Sequence, residues 1–444
     1  MNETLLALLG FATILGIIVL LLRNVTVPSL AFIGVSTVTS AILVLSGTFT
    51  LKEMGDFVKA GVADVHGTAS LFIFSVLFFG IMTDAGMFDK IINALMKRVG
   101  SNVIGVAVMT CIIAIIGHLD GGGASTFLIT IPAMLPVYKR LHMRRTTLLL
   151  ICVCAMGVMN LVPWGGPTMR AASVLGMDAN DLWHTLMPMQ AVGIVLAFAT
   201  AIIWGILEKK NIAKLGDKAA EEDDSTDVDE VAAADNALAR PKFFVFNLLL
   251  TLVVVLCLVF LPVPSYFVFM VGCVLALFVN YNGAKLQSKI IKSHSGPALM
   301  MASTILAAGV FLGVLEQSGI MDHMTNVLAS FIPASMGHFL PLIIGVLSVP
   351  LTLLFCTDSY FYGLLPVLIS IGNAFGVNPV HTAVAMVVCR NCATFISPVV
   401  PATFLGVGLA GVEIKDHIKK CFFWVWGVSL ICLVSGIILG VIRF

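Results

Sequence analysis

Charge is what this sequence holds least of. Among 444 residues only 11% are Asp, Glu, Lys or Arg, against 59% hydrophobic residues, and the mean hydropathy is +1.05. A soluble domain carries roughly 25% charge, and 16 of the charged residues here crowd into positions 208–242. The remainder cannot cover a water-exposed surface. A soluble fold is therefore excluded, and an all-α polytopic membrane protein is expected. The net charge of +1 offers no basic face for a nucleic acid. The ten cysteines lie in apolar runs, not in loops, which speaks against a disulfide framework. Cys389-x-x-Cys392 has the spacing of half a redox or zinc site, yet no second pair lies near it in sequence, and helix packing is the simpler account. A basic n-region is absent as well: Arg23 follows the first apolar run, which is expected to persist as an uncleaved span.

Long apolar runs are abundant. They fall at 4–22, 28–47, 67–87, 102–118, 146–163, 185–207, 243–261, 264–282, 297–316, 339–355, 380–396 and 421–442, most near the ~20 residues of a spanning helix. Four further pieces are broken by Gly, Pro and polar residues: 119–138, 160–170, 356–375 and 394–403. Irregular backbone survives at membrane depth only where protein or a watery cavity satisfies it, so these pieces point to a site. Taking 102–138 and 339–375 as re-entrant hairpins, and 146–177 and 380–411 as broken helices, leaves about ten spanning helices. Twenty of the 25 basic residues then share one face, expected to be cytoplasmic. Lys52, Lys59 and Arg443 fall outside with the N-terminus, and Arg170 and Arg390 lie at membrane depth. Each half, 1–207 and 243–444, has five spans and one hairpin, which implies an inverted-topology repeat around the acidic cytoplasmic linker 208–242. Gly80–Asp89 parallels Gly313–Asp322, and Pro132/Pro366 and Pro167/Pro401 are both offset by 234 residues.

Buried charge costs ~2.5–3.5 kcal/mol per residue on insertion scales, so the charged residues of the broken pieces carry the functional reading. Arg170 and Arg390 suit a carboxylate substrate, which a guanidinium binds bidentately; a structural pair with a nearby acid is the other account. The glycines of Asp120-Gly-Gly-Gly123 permit a tight tip whose N–H groups can face an anion, with Ser125 and Thr126 opening the next helix. Asn160, Gly165, Gly166 and Thr168 supply polar groups at one break, and Asn391, Thr394, Ser397 and Thr403 at the other. Asp120 and Asp358 fit proton carriers or cation ligands, and Ser359 follows Asp358 at the second tip. His118 either shares a proton with Asp120 or is a hydrogen-bonded packing residue. Asp84, Glu316 and Glu413, near span ends, are expected to be solvated.

Several stretches resemble the citrate–divalent metal:proton symporters of the ion transporter superfamily. They are Phe79–Asp89, His118–Phe127 continuing through Ala133–Leu141, Gly157–Thr168 with its Asn-Leu-Val-Pro-Trp-Gly-Gly-Pro-Thr, Thr357–Pro366 and Ser397–Thr403. The resemblance implies an elevator-type fold with two opposed hairpins, a homodimer, a bacterial inner-membrane location, proton coupling and citrate as substrate. Mg2+ or Ca2+ would travel with the citrate, touching Asp120, and not serve as a resident cofactor. It also implies Asp120, Ser125, Thr126, Asn160, Gly165, Gly166, Thr168, Asp358 and Ser397 around the substrate. Two departures stand out: Gly122 occupies the place of a second tip acid, and Arg390-Asn-Cys-Ala-Thr394 replaces a stretch ending in His. Both make the cavity more positive, which favours free or protonated citrate, or a related carboxylate, over its metal complex. A cation:proton antiporter on the same fold is the second expectation, which two membrane arginines oppose. A membrane-embedded hydrolase using Asp120 and His118 is the third; it lacks a metal-ligand set.

Overall fold

The computed structural model describes residues 2–23, 25–97, 100, 102–215, 238–261, 263–329 and 334–443. Of the acidic linker expected at 208–242, residues 216–237 lie outside the described residues. The first half runs α1 (Glu3–Leu22), α2 (Pro28–Leu45), α3 (Leu51–Asp84), α4 (Met87–Met96), α5 (Val103–Gly117), α6 (Gly123–Arg140), α7 (Arg145–Met159), α8 (Gly166–Val174) and α9 (Ala179–Leu215). The second half repeats that order. It comprises α10 (Phe244–Phe260), α11 (Ser265–Asn280), α12 (Ala284–Gln317), α13 (Ile320–Ala329), the single turn α14 (Ala334–Gly337), α15 (Leu340–Thr352), α16 (Leu365–Ala374), α17 (Pro379–Asn391), α18 (Pro401–Ala410) and α19 (Ile414–Ile438). A π-helical turn, Ser359–Leu364, leads into α16.

The packing repeats as well, with the halves exchanged. Where α3 packs on α11, α12 packs on α2; where α5 packs on α7 and α9, α15 packs on α17 and α19. Likewise α6 meets α18 as α16 meets α8, and α1 meets α13 as α10 meets α4. At the centre α3 and α12 lie along each other. Glycine makes this possible: a Cβ on Gly61 would stand 2.1 Å from the Gly309 carbonyl oxygen, and one on Gly313 would stand 2.3 Å from that of Phe57. The two backbones touch through a small-residue seam, which is how membrane helices associate without a hydrophobic drive.

Sequence patterning placed spans at 67–87 and 297–316, but each is the C-terminal part of a 34-residue helix. The cause is local. Thr50 caps α3 in a reciprocal box with Glu53, and no breaker follows to separate residues 51–66 from the apolar run. At 1.5 Å per residue such a helix is ~51 Å long, well beyond the ~30 Å hydrocarbon core, so its polar end projects past the apolar layer or the helix tilts. Seven helices of the described residues are long and apolar enough to cross a membrane, and α5, α7, α11, α15 and α18 are shorter apolar helices. Large apolar side chains such as Leu8, Leu15, Leu30, Leu249, Phe260 and Phe278 are exposed, as a lipid-facing surface requires. Of the three acids expected to be solvated, Asp84 is drawn into a hydrogen bond with His294 Nε2 at 2.9 Å, whereas Glu316 and Glu413 are exposed. All ten cysteines are free.

One buried acid escaped the sequence reading. The Glu208 side chain is wholly buried near the end of α9, accepting from Arg144 Nε at 2.7 Å and from the Thr147 hydroxyl at 2.6 Å. It ties α9 to the start of α7. Glu208→Ala is expected to cost roughly 1–3 kcal/mol, the loss of charge-assisted hydrogen bonds, read as a lowered Tm of the purified protein in detergent. An unchanged Tm would remove Glu208 as an anchor.

Candidate functional site

Two tips and two breaks converge. The first tip joins α5 to α6. Gly121 takes φ +71° there, a left-handed turn that suits glycine. Asp120 folds back over its own turn: its carboxylate accepts the Gly122 N–H at 2.7 Å and the Ser125 hydroxyl. The Gly122 N–H, one of those expected to face an anion, is held by the tip's own acid in a local Asx turn. No cation pairs with Asp120 among the described residues, so this tip holds an acid without a counter-charge.

Behind it His118 is fully buried and bridges two elements. Its Nδ1 lies 2.6 Å from Thr126 Oγ1 and its Nε2 lies 3.0 Å from Asn160 Oδ1. Among the described residues no hydrogen bond joins its ring to Asp120; the histidine links the first tip to the α7–α8 break. That break is pinned by Thr168, whose hydroxyl donates to the Asn160 carbonyl at 3.0 Å. Gly165 packs so closely that a Cβ would stand 2.2 Å from the same carbonyl oxygen. Trp164, in the Pro-Trp-Gly-Gly run, donates from Nε1 to the Leu119 carbonyl at 2.7 Å and so fixes the tip to the break. Phe395 of the other half closes the tip, its ring 5.4 Å from that of His118. Neither aromatic was singled out from sequence, although Trp164 sits inside the most distinctive motif.

The second tip, Leu353–Asp358, gathers the cations. Arg170, on α8, reaches across the halves to Asp358, Nε to Oδ1 at 2.7 Å. Its Nη1 donates to the Gly166 carbonyl at 3.0 Å, and among the described residues its Nη2 meets only the Met301 sulfur at 3.4 Å. Arg390 is wholly buried, and no carboxylate pairs with it among the described residues. It makes long contacts to neutral acceptors: Thr394 Oγ1 at 3.3 Å, Thr357 Oγ1 at 3.3 Å and the Phe355 carbonyl at 3.5 Å. Its guanidinium lies over the rings of Tyr360 and Phe361, at 5.1 and 5.7 Å. Ser397 donates to the Thr352 carbonyl at 2.6 Å, holding the second break to its tip. Ser359 is buried and turns to Cys356 instead of to the arginines. The breaks cross where Gly157 meets Asn391; a Cβ there would lie 2.5 Å from the Asn391 carbonyl oxygen.

Several buried polar atoms of this region have no hydrogen-bond partner among the described residues: Arg390 Nε, Asn160 Nδ2, Asn391 Nδ2, Thr403 Oγ1 and Tyr362 Oη. Three are obligate N–H donors. Buried donors are costly to leave unpaired, and an oxygen-rich anion would satisfy them. No group of three or more His, Cys, Asp or Glu side chains that could hold a metal ion gathers among the described residues.

A helical protein with multiple apolar spans, broken helices and a buried polar site at their crossing is a membrane transporter. Comparison with known proteins narrows the class. A family model described as "Citrate transporter" matches residues 2–389, and the chain belongs to that family. It is 35% identical over 442 residues to the "Citrate transporter" of Bacillus subtilis (strain 168), covering 99% of this chain and all of that one. It is 36% identical over 438 residues to the "Mg(2+)/citrate complex secondary transporter" of the same organism, covering 98% and 99%. The crystal structure of the Alcanivorax borkumensis YdaH transporter shares the fold, with a TM-score of 0.57 at 13% identity over 96% of this chain and 98% of that one. The protein is therefore a multi-pass citrate-family transporter and not an enzyme, and the antiporter alternative finds no support in its relatives.

Proposed function

We propose that this protein is a proton-coupled secondary transporter that takes up citrate, or a related carboxylate, across the bacterial inner membrane. The observation that carries the reading is the pair of arginines at the second tip. One guanidinium is buried with no carboxylate partner, beside orphaned amide donors, and that array matches an anion with several carboxylates. Arg170, Arg390, Asn160, Asn391, Gly166 and Thr403 then face the substrate, while Ser125, Thr126, Gly165, Thr168, Ser359 and Ser397 shape the tips and breaks around it. Asp120 and Asp358 carry the coupling charge, and His118 holds the first tip against its break.

The repeated order of elements, with partners exchanged between halves, supports an inverted-topology repeat of 1–207 and 243–444 joined by a cytoplasmic linker, with the N-terminus outside. Alternating access would follow by an elevator movement of the hairpins and broken helices past the α3–α12 seam, in a homodimer. The balance of charge favours free citrate. A Cβ at Gly122 would stand 2.5 Å from Ser125 Oγ and 3.1 Å from Asp120 Oδ2, so an acid at this place would break into the existing network. If Mg2+ or Ca2+ is carried, it comes chelated by citrate and meets Asp120.

Radiolabelled citrate uptake into proteoliposomes under an inward proton gradient tests this. Uptake is expected to persist with a chelator and to collapse when the gradient is dissipated. Uptake seen only with magnesium or calcium would assign the metal complex as substrate, and no uptake in either condition would remove citrate.

A further inference from the structure

The Arg170–Asp358 pair and the unpaired Arg390 occupy one tip, yet the three groups are not equivalent. We infer that Asp358 is a tethered stand-in for a substrate carboxylate: it occupies the Arg170 guanidinium in the empty site and leaves it, protonated, when substrate binds. This rests on the carboxylate reading above and adds the route by which a proton is exchanged for an anion.

The geometry of the pair is that of a partial lock. A carboxylate binds the Nε–Nη2 edge of arginine through two parallel bonds when it is free to do so. Asp358 uses Nε alone, at 2.7 Å, and Nη2 is left against the Met301 thioether, a weak acceptor. A free carboxylate, not bound to the tip backbone, can take both nitrogens. Asp358 is also the less enclosed partner, its side chain 15% exposed against 7% for Arg170.

Charge sets the order. Among the described residues, Asp358 shares its surroundings with Arg170 from α8, Arg390 from α17, and Tyr360, Tyr362 and Cys356 of its own segment. With the tyrosines and Cys356 neutral, the cluster sums to +1. A citrate trianion entering beside an ionised Asp358 would leave two uncompensated negative charges in a buried site, and burying an unpaired charge costs several kcal/mol. A proton on an Asp358 oxygen raises the cluster to +2, breaks the Nε bond and frees the guanidinium. The substrate carboxylate then takes the vacated nitrogens. Release reverses the sequence: Asp358 loses its proton to water and closes again on Arg170. Asp120 differs: its carboxylate is held by its own turn, with no cation to release among the described residues, so any coupling charge it carries is not exchanged for the substrate in this way.

The test is citrate binding to purified protein by calorimetry in two buffers of different ionisation enthalpy, at alkaline pH where citrate is fully ionised. The wild type is expected to take up a proton with each citrate. Asp358→Asn, which mimics the protonated residue permanently, is expected to bind without proton uptake and roughly tenfold more tightly, because no competitor must be displaced. A variant that is merely damaged would not bind more tightly. Equal affinity and equal proton uptake in variant and wild type would overturn the inference. Should Asp358→Asn fail to fold, wild-type binding without net proton uptake would overturn it alone. A wild type that binds no citrate removes the citrate reading, and this proposal with it.

Discussion

An Arg390→Gln protein is expected to fold as well as the wild type while taking up citrate roughly 100-fold more slowly, within the loss of 2–5 kcal/mol seen when one side of a buried charge pair is removed. Both halves of that expectation come from the same feature. Arg390 is wholly buried, its bonds to Thr394, Thr357 and Phe355 are long and to neutral acceptors, and its Nε has none. A charge held so poorly contributes little to stability, and its removal relieves a desolvation cost. The Tm in detergent should therefore hold or rise. Function should suffer because, among the described residues, the guanidinium is the cation of the tip with no acid opposite it. Lysine at this position is expected to recover little, since it lacks both the planar fork and the flat face that lies over Tyr360 and Phe361. Normal uptake by Arg390→Gln would take the arginine out of the substrate site.

Gly61→Val acts at the opposite extreme, on assembly instead of on chemistry. A Cβ at Gly61 would meet the Gly309 carbonyl oxygen at 2.1 Å and the Gly313 Cα at 2.7 Å. These are backbone atoms of α12, so no side chain can swing aside. Overpacking against movable neighbours costs about 1–3 kcal/mol, and this substitution should exceed that range and prevent recovery of monodisperse protein. Gly55, two turns earlier on α3, has no atom within 4 Å of where a Cβ would sit. Gly55→Ala should be tolerated, with a gain of ~0.5–1 kcal/mol from the better helix former. Equal yields from Gly61→Val and Gly55→Ala would show that α3 and α12 do not meet as described.

The tips and breaks were legible because glycine and proline interrupt apolar runs, a signal that needs no tertiary information. The lengths of α3 and α12 were not, because hydropathy marks where lipid begins and says nothing of whether the helix continues beyond it. At the first tip the Asp-Gly-Gly-Gly run was read as a cradle for an external anion, while a six-residue loop that opens with Asp and closes with Ser supplies its own ligands. Which acid pairs with Arg170 lay out of reach: Asp358 is 188 residues away in sequence. Arg390 was found from its position in an apolar run, yet its lack of an acidic partner emerges only once the neighbours are in place.

On the proposed inverted repeat, the asymmetry between the tips bears on what a fused pair of halves can do. Two identical subunits related by a two-fold must present identical tips, both acidic or both basic. Joined end to end, the halves escape that constraint and can diverge, one keeping an acid on its own turn while the other recruits Arg170 from its sibling. Division of labour between a cation end and an anion end is thus a property that only the fused, heterogeneous pair can possess. Neither half, duplicated, would reproduce it.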